Sequence, residues 1–208
     1  MTTQSFRTEH DLLGELPVPD EAYYGIQTLR ALENFRLSGV YLSEYPNFII
    51  ALAMVKLAAA DANHKLGAMS AEKHAAITDA CHRIMQGEYH DQFVVDMIQG
   101  GAGTSTNMNA NEVIANLGLE FMGKAKGEYS YLHPNNDVNM AQSTNDAYPT
   151  AIRVGLLLEQ QELLASLEQL IEAFAAKGEA FAGMLKMGRT QLQDAVPMTL
   201  GQEFHAFA

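Results

Sequence analysis

Three short segments of this chain concentrate small hydroxyl and amide side chains beside helical patterns. They are Gly100-Gly101-Ala102-Gly103-Thr104-Ser105-Thr106-Asn107, Gln142-Ser143-Thr144-Asn145-Asp146 and Gly188-Arg189-Thr190-Gln191-Leu192-Gln193-Asp194. A helix start exposes backbone N–H groups with no intrahelical partner and carries a partial positive charge, and neighbouring Ser, Thr and Asn add donors. Three such starts brought together would bind a small anion that presents several carboxylate oxygens. Taken singly, each segment reads more simply as a helix cap, because Ser, Thr, Asn and Asp are the capping residues. The glycine cluster is not a Walker loop, since no Lys follows it. Nor is it a dinucleotide fingerprint, since no strand pattern precedes it and the third glycine is missing. Only the joint occurrence of all three carries a signal.

Other chemistry has less support. His64, His74, His82 and His90 are spaced 10, 8 and 8 residues apart, so none forms the i, i+4 pair of a helical zinc site. Cys81 beside His82 cannot face the same ion from a helix, and no metal site is expected. The single cysteine excludes a disulfide framework and fits a reducing compartment. Met54, Met97, Met108 and Met140 sit among apolar residues and read as core filler. Glu120 and Lys124 read as a solvated i, i+4 pair.

The elements that must position the three segments are mostly helical. Residues before about 45 mix prolines and glycines with short apolar runs, an extended arm with a brief helix around Gln27 to Asn34. After Pro46, Phe48, Leu52, Val55, Ala59 and Ala62 keep helical spacing up to a stop at Gly67. Ser70 caps a second helix that runs to about Gln86, with Gly87 as its stop. Met108, Val113, Leu117 and Phe121 mark a third. Residues 123 to 150 read as loop with one short helix. From about Thr150, Leu156, Leu163, Leu167, Leu170, Phe174 and Phe181 keep a 7, 4, 3, 4, 7 spacing, the seam of a helix bundle. About 34 residues without proline would reach roughly 50 Å, and no earlier segment is long enough to partner such a helix. Leu200, Phe204 and Phe207 open another stripe that stops at Ala208 without a cap or glycine, which points to the N-terminal part of a longer protein. The expected fold class is mainly α: an N-terminal helical domain over residues 1–140, then the start of a long-helix bundle over 141–208.

Composition bounds the partners. The chain has 208 residues, 48% apolar and 18% charged, with 25 acids, 13 bases and a net charge of −12. That balance is globular and excludes a disordered tail. It is the opposite of a nucleic-acid footprint, and an anionic membrane would repel it. The N-terminus lacks the basic start and apolar core of a secretory signal. The longest apolar stretch, Phe48 to Ala62, is broken by Lys56 and Asp61 and is too short to span a bilayer. A cytoplasmic protein with no nucleic-acid or membrane partner is expected.

The blocks GGAGTSTNMNANEV, HPNNDVNMAQSTNDAYPT and KMGRTQLQDAVPMTLGQEF, with the arm AYYGIQTLRALENF, closely resemble in order and spacing those of the aspartase/fumarase superfamily. The resemblance covers essentially the whole chain. Ala102 within Gly101-Ala102-Gly103-Thr104, and Gln191 after Thr190, resemble the aspartase branch more than the fumarase branch, Gln191 being the softer marker. The resemblance implies an aspartase/fumarase-like helical fold, truncated here, and reversible anti elimination of ammonia from L-aspartate to give fumarate, without metal or organic cofactor. It makes Thr104, Ser143, Thr144, Asn145, Thr190 and Gln191 substrate-binding positions. Ser143, Thr144 and Asn145 fall to the β-carboxylate, and Thr104, Thr190 and Gln191 to the other end with the departing amine. The family's general base is a serine in a Gly-Ser-Ser loop, with a partner lysine. This sequence has no Ser-Ser pair, so the base is expected beyond residue 208 and the chain alone is expected to be inactive. The resemblance further implies a homotetramer whose active sites each draw on three subunits, the three blocks coming from different chains. Fumarate hydratase or a related lyase, and a catalytically silent scaffold of the same fold, are the alternatives.

Overall fold

In the computed structural model, residues 5–208 are described. The N-terminal arm is a β-hairpin, β1 (Phe6–Asp11) paired antiparallel with β2 (Gly14–Pro19), and leads into α1 (Ile26–Asn34). The arm's composition suggested only extended chain; the hairpin is added by pairing, which its weakly alternating sequence does not announce. Then follow α2 (Pro46–Lys65), with Pro46 in its first turn, and α3 (Ala71–Met85), where Ser70 Oγ accepts from the Lys73 N–H at 3.3 Å as its spacing predicts. A helix α4 (Thr104–Phe121), a π-helical turn (Pro134–Val138) and a long α5 (Thr144–Ala180) come next. The chain closes with the hairpin β3 (Leu185–Thr190) and β4 (Gln193–Thr199) and a short α6 (Leu200–His205). The fold is mainly helical, as expected. It divides into two compact units, one up to Leu158 and one from Glu159.

In the first unit, Ile49 and Leu52 of α2, Ile77 and Ile84 of α3, and Val113, Ile114 and Leu117 of α4 are all buried in one core. α4 lies at its centre and is buried on nearly every face, its polar residues included. These hold loops. Asn109 Oδ1 accepts from the Val94 N–H at 2.9 Å while its amide donates to the Gln92 carbonyl at 3.0 Å. Asn116 donates to the Tyr23 carbonyl and accepts from the Gly127 N–H, both at 2.8 Å. The Glu112 carboxylate accepts from Gly25, Gln27 and Thr28 N–H at 2.9, 2.8 and 3.0 Å, occupying the donors that α1 leaves open at its start. A glutamine there would turn an NH2 group against one of these donors, so Glu112→Gln is expected to cost about 2–3 kcal/mol of stability. Urea unfolding measures it; a change below about 0.5 kcal/mol would contradict this reading of α4.

In the second unit, Thr199 caps α6 through a reciprocal pair with Gln202, at 3.1 and 2.9 Å. Phe204 packs on Phe174 and Phe181 with ring centroids 6.1 and 5.6 Å apart, and Phe207 lies 5.7 Å from Phe174. The outer end of the α5 seam is thus covered, whereas Leu163, Leu167 and Leu170 are 60, 44 and 50% exposed.

Three expectations are corrected. α5 begins at Thr144 rather than about Thr150 and contains Pro149; its first turn still closes, because Asp146 and Ala147 N–H both reach the Ser143 carbonyl at 3.0 Å. Met54 is exposed, not core. Glu120 pairs with Arg83 at 3.6 Å and accepts from the Tyr23 hydroxyl, while the Lys124 ammonium sits 4.0 Å from the centre of the Tyr131 ring.

Candidate active site

The first segment is a tight glycine turn feeding α4. Gly101 and Gly103 have φ of +76° and +85°, values that only glycine adopts without strain. Gly103 also lies against Tyr148 of α5: a Cβ there would meet the ring at 2.3–2.4 Å. Gln99 fixes the helix start from outside. Its Oε1 accepts from the Thr106 N–H and its Nε2 donates to Thr106 Oγ1, both at 2.8 Å. Upstream, Asp96 gathers the Ser38 hydroxyl and the N–H groups of Leu37, Ser38, Gly39 and Ile98. The Ser38 hydroxyl and these N–H donors hold its carboxyl well below the usual carboxylate range. Thr106 is thereby buried and engaged, and Thr104 is left exposed at the first helical position.

The second segment starts α5. Ser143 Oγ accepts from the Asn145 N–H at 3.2 Å, and Thr144 Oγ1 accepts from Asn107 Nδ2 at 3.2 Å. Asn107 is one turn along α4 from Thr104, so α4 and the start of α5 are directly bonded. Gly101, Ala102, Gly103, Asn145 and Tyr148 line one open cleft of about 450 Å³. The first two blocks are therefore in contact within this chain. A helix of 37 residues presents its partly positive end here.

Beneath this start lies a group that sequence reasoning missed. Lys56 of α2 is fully buried. Its ammonium donates to Asn107 Oδ1 at 2.7 Å and to Asn139 Oδ1 and Gln142 Oε1 at 2.9 Å. All three partners are neutral amides, and burial pushes the amine down to about 7. The available signal was a lysine inside the apolar stretch Phe48 to Ala62, which reads as a break in hydrophobicity until its partners, 51 to 86 residues away, are known.

The third segment is not a helix start. Thr190 ends β3 and pairs with Gln193 across a two-residue turn. Gln191 and Leu192 form that turn with φ of +51° and +62°, a left-handed pair that costs non-glycine residues about 1–2 kcal/mol each. Thr190 and Gln191 are exposed there. They belong to the second unit, whereas Thr104, Ser143, Thr144 and Asn145 belong to the first.

A larger cavity of about 1060 Å³ lies between the arm, α1, α4 and the π-helical turn. Glu9, Asp11, Glu112, Glu128 and Asp137 line it against a single lysine, Lys73, so it suits a dianion poorly. Among the described residues no cluster of three or more His, Cys, Asp or Glu is placed to hold a metal, and no helix is long and apolar enough to cross a membrane.

A helical fold that gathers hydroxyl and amide donors at helix starts defines a class, and comparison with known proteins agrees. Residues 14–208 match the model of the lyase family, and the chain belongs to that family. It is 76% identical over 204 residues to the aspartate ammonia-lyase of Pseudomonas aeruginosa, covering 98% of this chain and 43% of the relative. Among solved structures it is similar to a fumarate lyase:delta crystallin from Brucella melitensis, at 61% identity and TM-score 0.91, covering 97% of this chain and 45% of that one. A class II fumarase from Schistosoma mansoni follows at 38% identity and TM-score 0.88, with 97 and 42% covered. The chain spans about 43% of the length of the curated relatives it matches.

Proposed function

We propose that this chain supplies the substrate-binding part of an aspartate ammonia-lyase that eliminates ammonia from L-aspartate to give fumarate. One observation carries the reading. Ser143 Oγ and Thr144 Oγ1 each already accept a hydrogen bond from the protein, both at 3.2 Å. Each hydroxyl therefore keeps its proton available to a ligand at the positive end of α5.

Two such donors meet what the elimination needs. The base takes a proton from Cβ, and the C–H electron pair spreads into the β-carboxylate as an aci-carboxylate. That pair then forms the C=C bond, and the C–N bond breaks to release ammonia. The carboxylate gains a full charge on the way, so donors fixed in place stabilise the intermediate more than the ground state. Ser143, Thr144 and Asn145 would hold the β-carboxylate. Thr104, Thr190 and Gln191 would hold the other end and the amine. The base would be a serine from outside residues 1–208, and the working form a cytoplasmic homotetramer that uses neither metal nor organic cofactor.

The 76% identity to an aspartate ammonia-lyase, against 38% to a fumarase, favours ammonia over water as the leaving group. Ala102 and Gln191 point the same way. The test is a full-length enzyme carrying this chain, given L-aspartate or L-malate while fumarate absorbance is followed. Fumarate from aspartate supports the reading. Fumarate from malate alone replaces it with a hydratase, and no turnover of either replaces it with a silent scaffold.

A further inference from the structure

We propose that Lys56 is a positioning residue for the dicarboxylate: it orients the Asn107 amide so that the Thr144 hydroxyl is left as a donor to substrate. The inference rests on the function proposed above and names a residue that acts through another.

An ammonium group donates and never accepts. Each of its three partners must therefore turn an oxygen toward Lys56, as Asn107, Asn139 and Gln142 do at 2.7–2.9 Å. With Oδ1 committed, Asn107 has only its NH2 to present on the other side, where it donates to Asn139 Oδ1 at 3.1 Å and to Thr144 Oγ1 at 3.2 Å. Thr144 then accepts from the protein, and its own proton points away. Were the amide reversed, Oδ1 would face Thr144, the hydroxyl would donate into the protein, and a carboxylate bound at the start of α5 would meet a lone pair.

Charge acts in the same direction. Lys56 is fully buried, and no carboxylate is bonded to it among the described residues. In its protonated form Lys56 is an uncompensated cation in a low-dielectric wall, which favours an anion bound nearby and is in turn favoured by it.

Asn107→Asp tests this with little change of shape. The aspartate keeps an oxygen on Lys56 and gives it a counter-charge, which offsets the lost bond from Asn107 Nδ2 to Asn139 Oδ1. It also offers Thr144 only acceptors, which turns the hydroxyl inward. In a full-length enzyme, calorimetry with succinate, an unreactive dicarboxylate, and steady-state kinetics with L-aspartate give the readout. The dissociation constant of succinate and the KM for aspartate should rise about 10- to 100-fold, with the melting temperature within a few degrees of the parent. Adding Thr144→Val to Asn107→Asp should weaken succinate binding little further, because the hydroxyl is already lost to the ligand. Lys56→Met should weaken binding likewise; should it not fold, Asn107→Asp decides alone. Succinate binding within twofold of the parent in Asn107→Asp, or full additivity with Thr144→Val, overturns the proposal. A parent that binds succinate but never turns over aspartate removes the proposed reaction and leaves the positioning role to the succinate shift. A parent that binds no dicarboxylate removes both.

Discussion

Thr144→Val and Ser143→Ala, each in a full-length enzyme carrying this chain, are expected to lower kcat/KM for L-aspartate by about 10²- to 10³-fold, the scale of losing one oxyanion donor. Both hydroxyls start α5, and both are already acceptors within the protein. What each substitution removes outward is a donor whose bond strengthens as charge flows into the carboxylate. The inward loss is small. Thr144→Val leaves one Asn107 donor without this partner, while Asn107 keeps its bond to Asn139. Ser143→Ala removes a cap at the helix start. Each should cost about 1 kcal/mol of stability, a shift of a few degrees in melting temperature. Following fumarate absorbance alongside thermal unfolding separates the two effects. The assignment fails if activity falls only as far as folded protein does. It fails equally if the substituted enzymes keep the parent kcat/KM.

The contrast between these residues and Lys56 shows what the sequence made legible. Ser143 and Thr144 stand out because their types suit a helix start, and helix starts are local: Ser70 and Pro46 mark α3 and α2 in the same way. Lys56, Asn107 and Asn139 do not stand out, since their meaning lies in contacts across 32 to 83 residues. α4 shows the same difficulty. Met108, Val113, Leu117 and Phe121 suggest one apolar face. Yet Phe121 is 54% exposed while Asn107, Asn109, Asn111, Glu112 and Asn116 are buried. Periodicity assumes that polar side chains seek water, whereas Asn109, Glu112 and Asn116 seek the backbone of distant loops and Asn107 the side chains of Lys56, Asn139 and Thr144. The third segment was misread for a related reason. Thr190, Gln191 and Asp194 have the polarity of a cap, and the left-handed pair at Gln191 and Leu192 lacks the Asn-Gly signature that announces such a turn. Charge is the last scale mismatch. The chain carries −12 overall, yet the proposed dianion site rests on one buried cation and a helix end, because burial makes near charges outweigh many solvated distant ones.

Gly103→Ala should be the most damaging single-methyl change in the first unit. Two separate costs meet at this position. With φ at +85°, any Cβ brings backbone strain of about 1–2 kcal/mol. The added methyl would also lie 2.3–2.4 Å from the Tyr148 ring carbons. Tyr148 cannot withdraw freely, since its ring packs edge-on against Phe48 at 5.7 Å; overpacking of this kind adds about 1–3 kcal/mol. Together they give a loss of about 2–5 kcal/mol in urea unfolding, with displacement of the α4 start that carries Thr104. Gly101→Ala is the internal control. It has φ of +76°, but its Cβ would meet only Thr104 Oγ1 at 3.4 Å, an ordinary contact, so strain alone remains. The control should cost about 1–2 kcal/mol, and Gly103→Ala should exceed it. Adding Tyr148→Leu to Gly103→Ala should recover part of the excess, because the ring carbons that clash are gone. Equal costs for the two alanines would mean that the glycine turn is held by backbone strain alone. The contact between α4 and α5 through Gly103 and Tyr148 would then have no part in setting the start of α4 against α5.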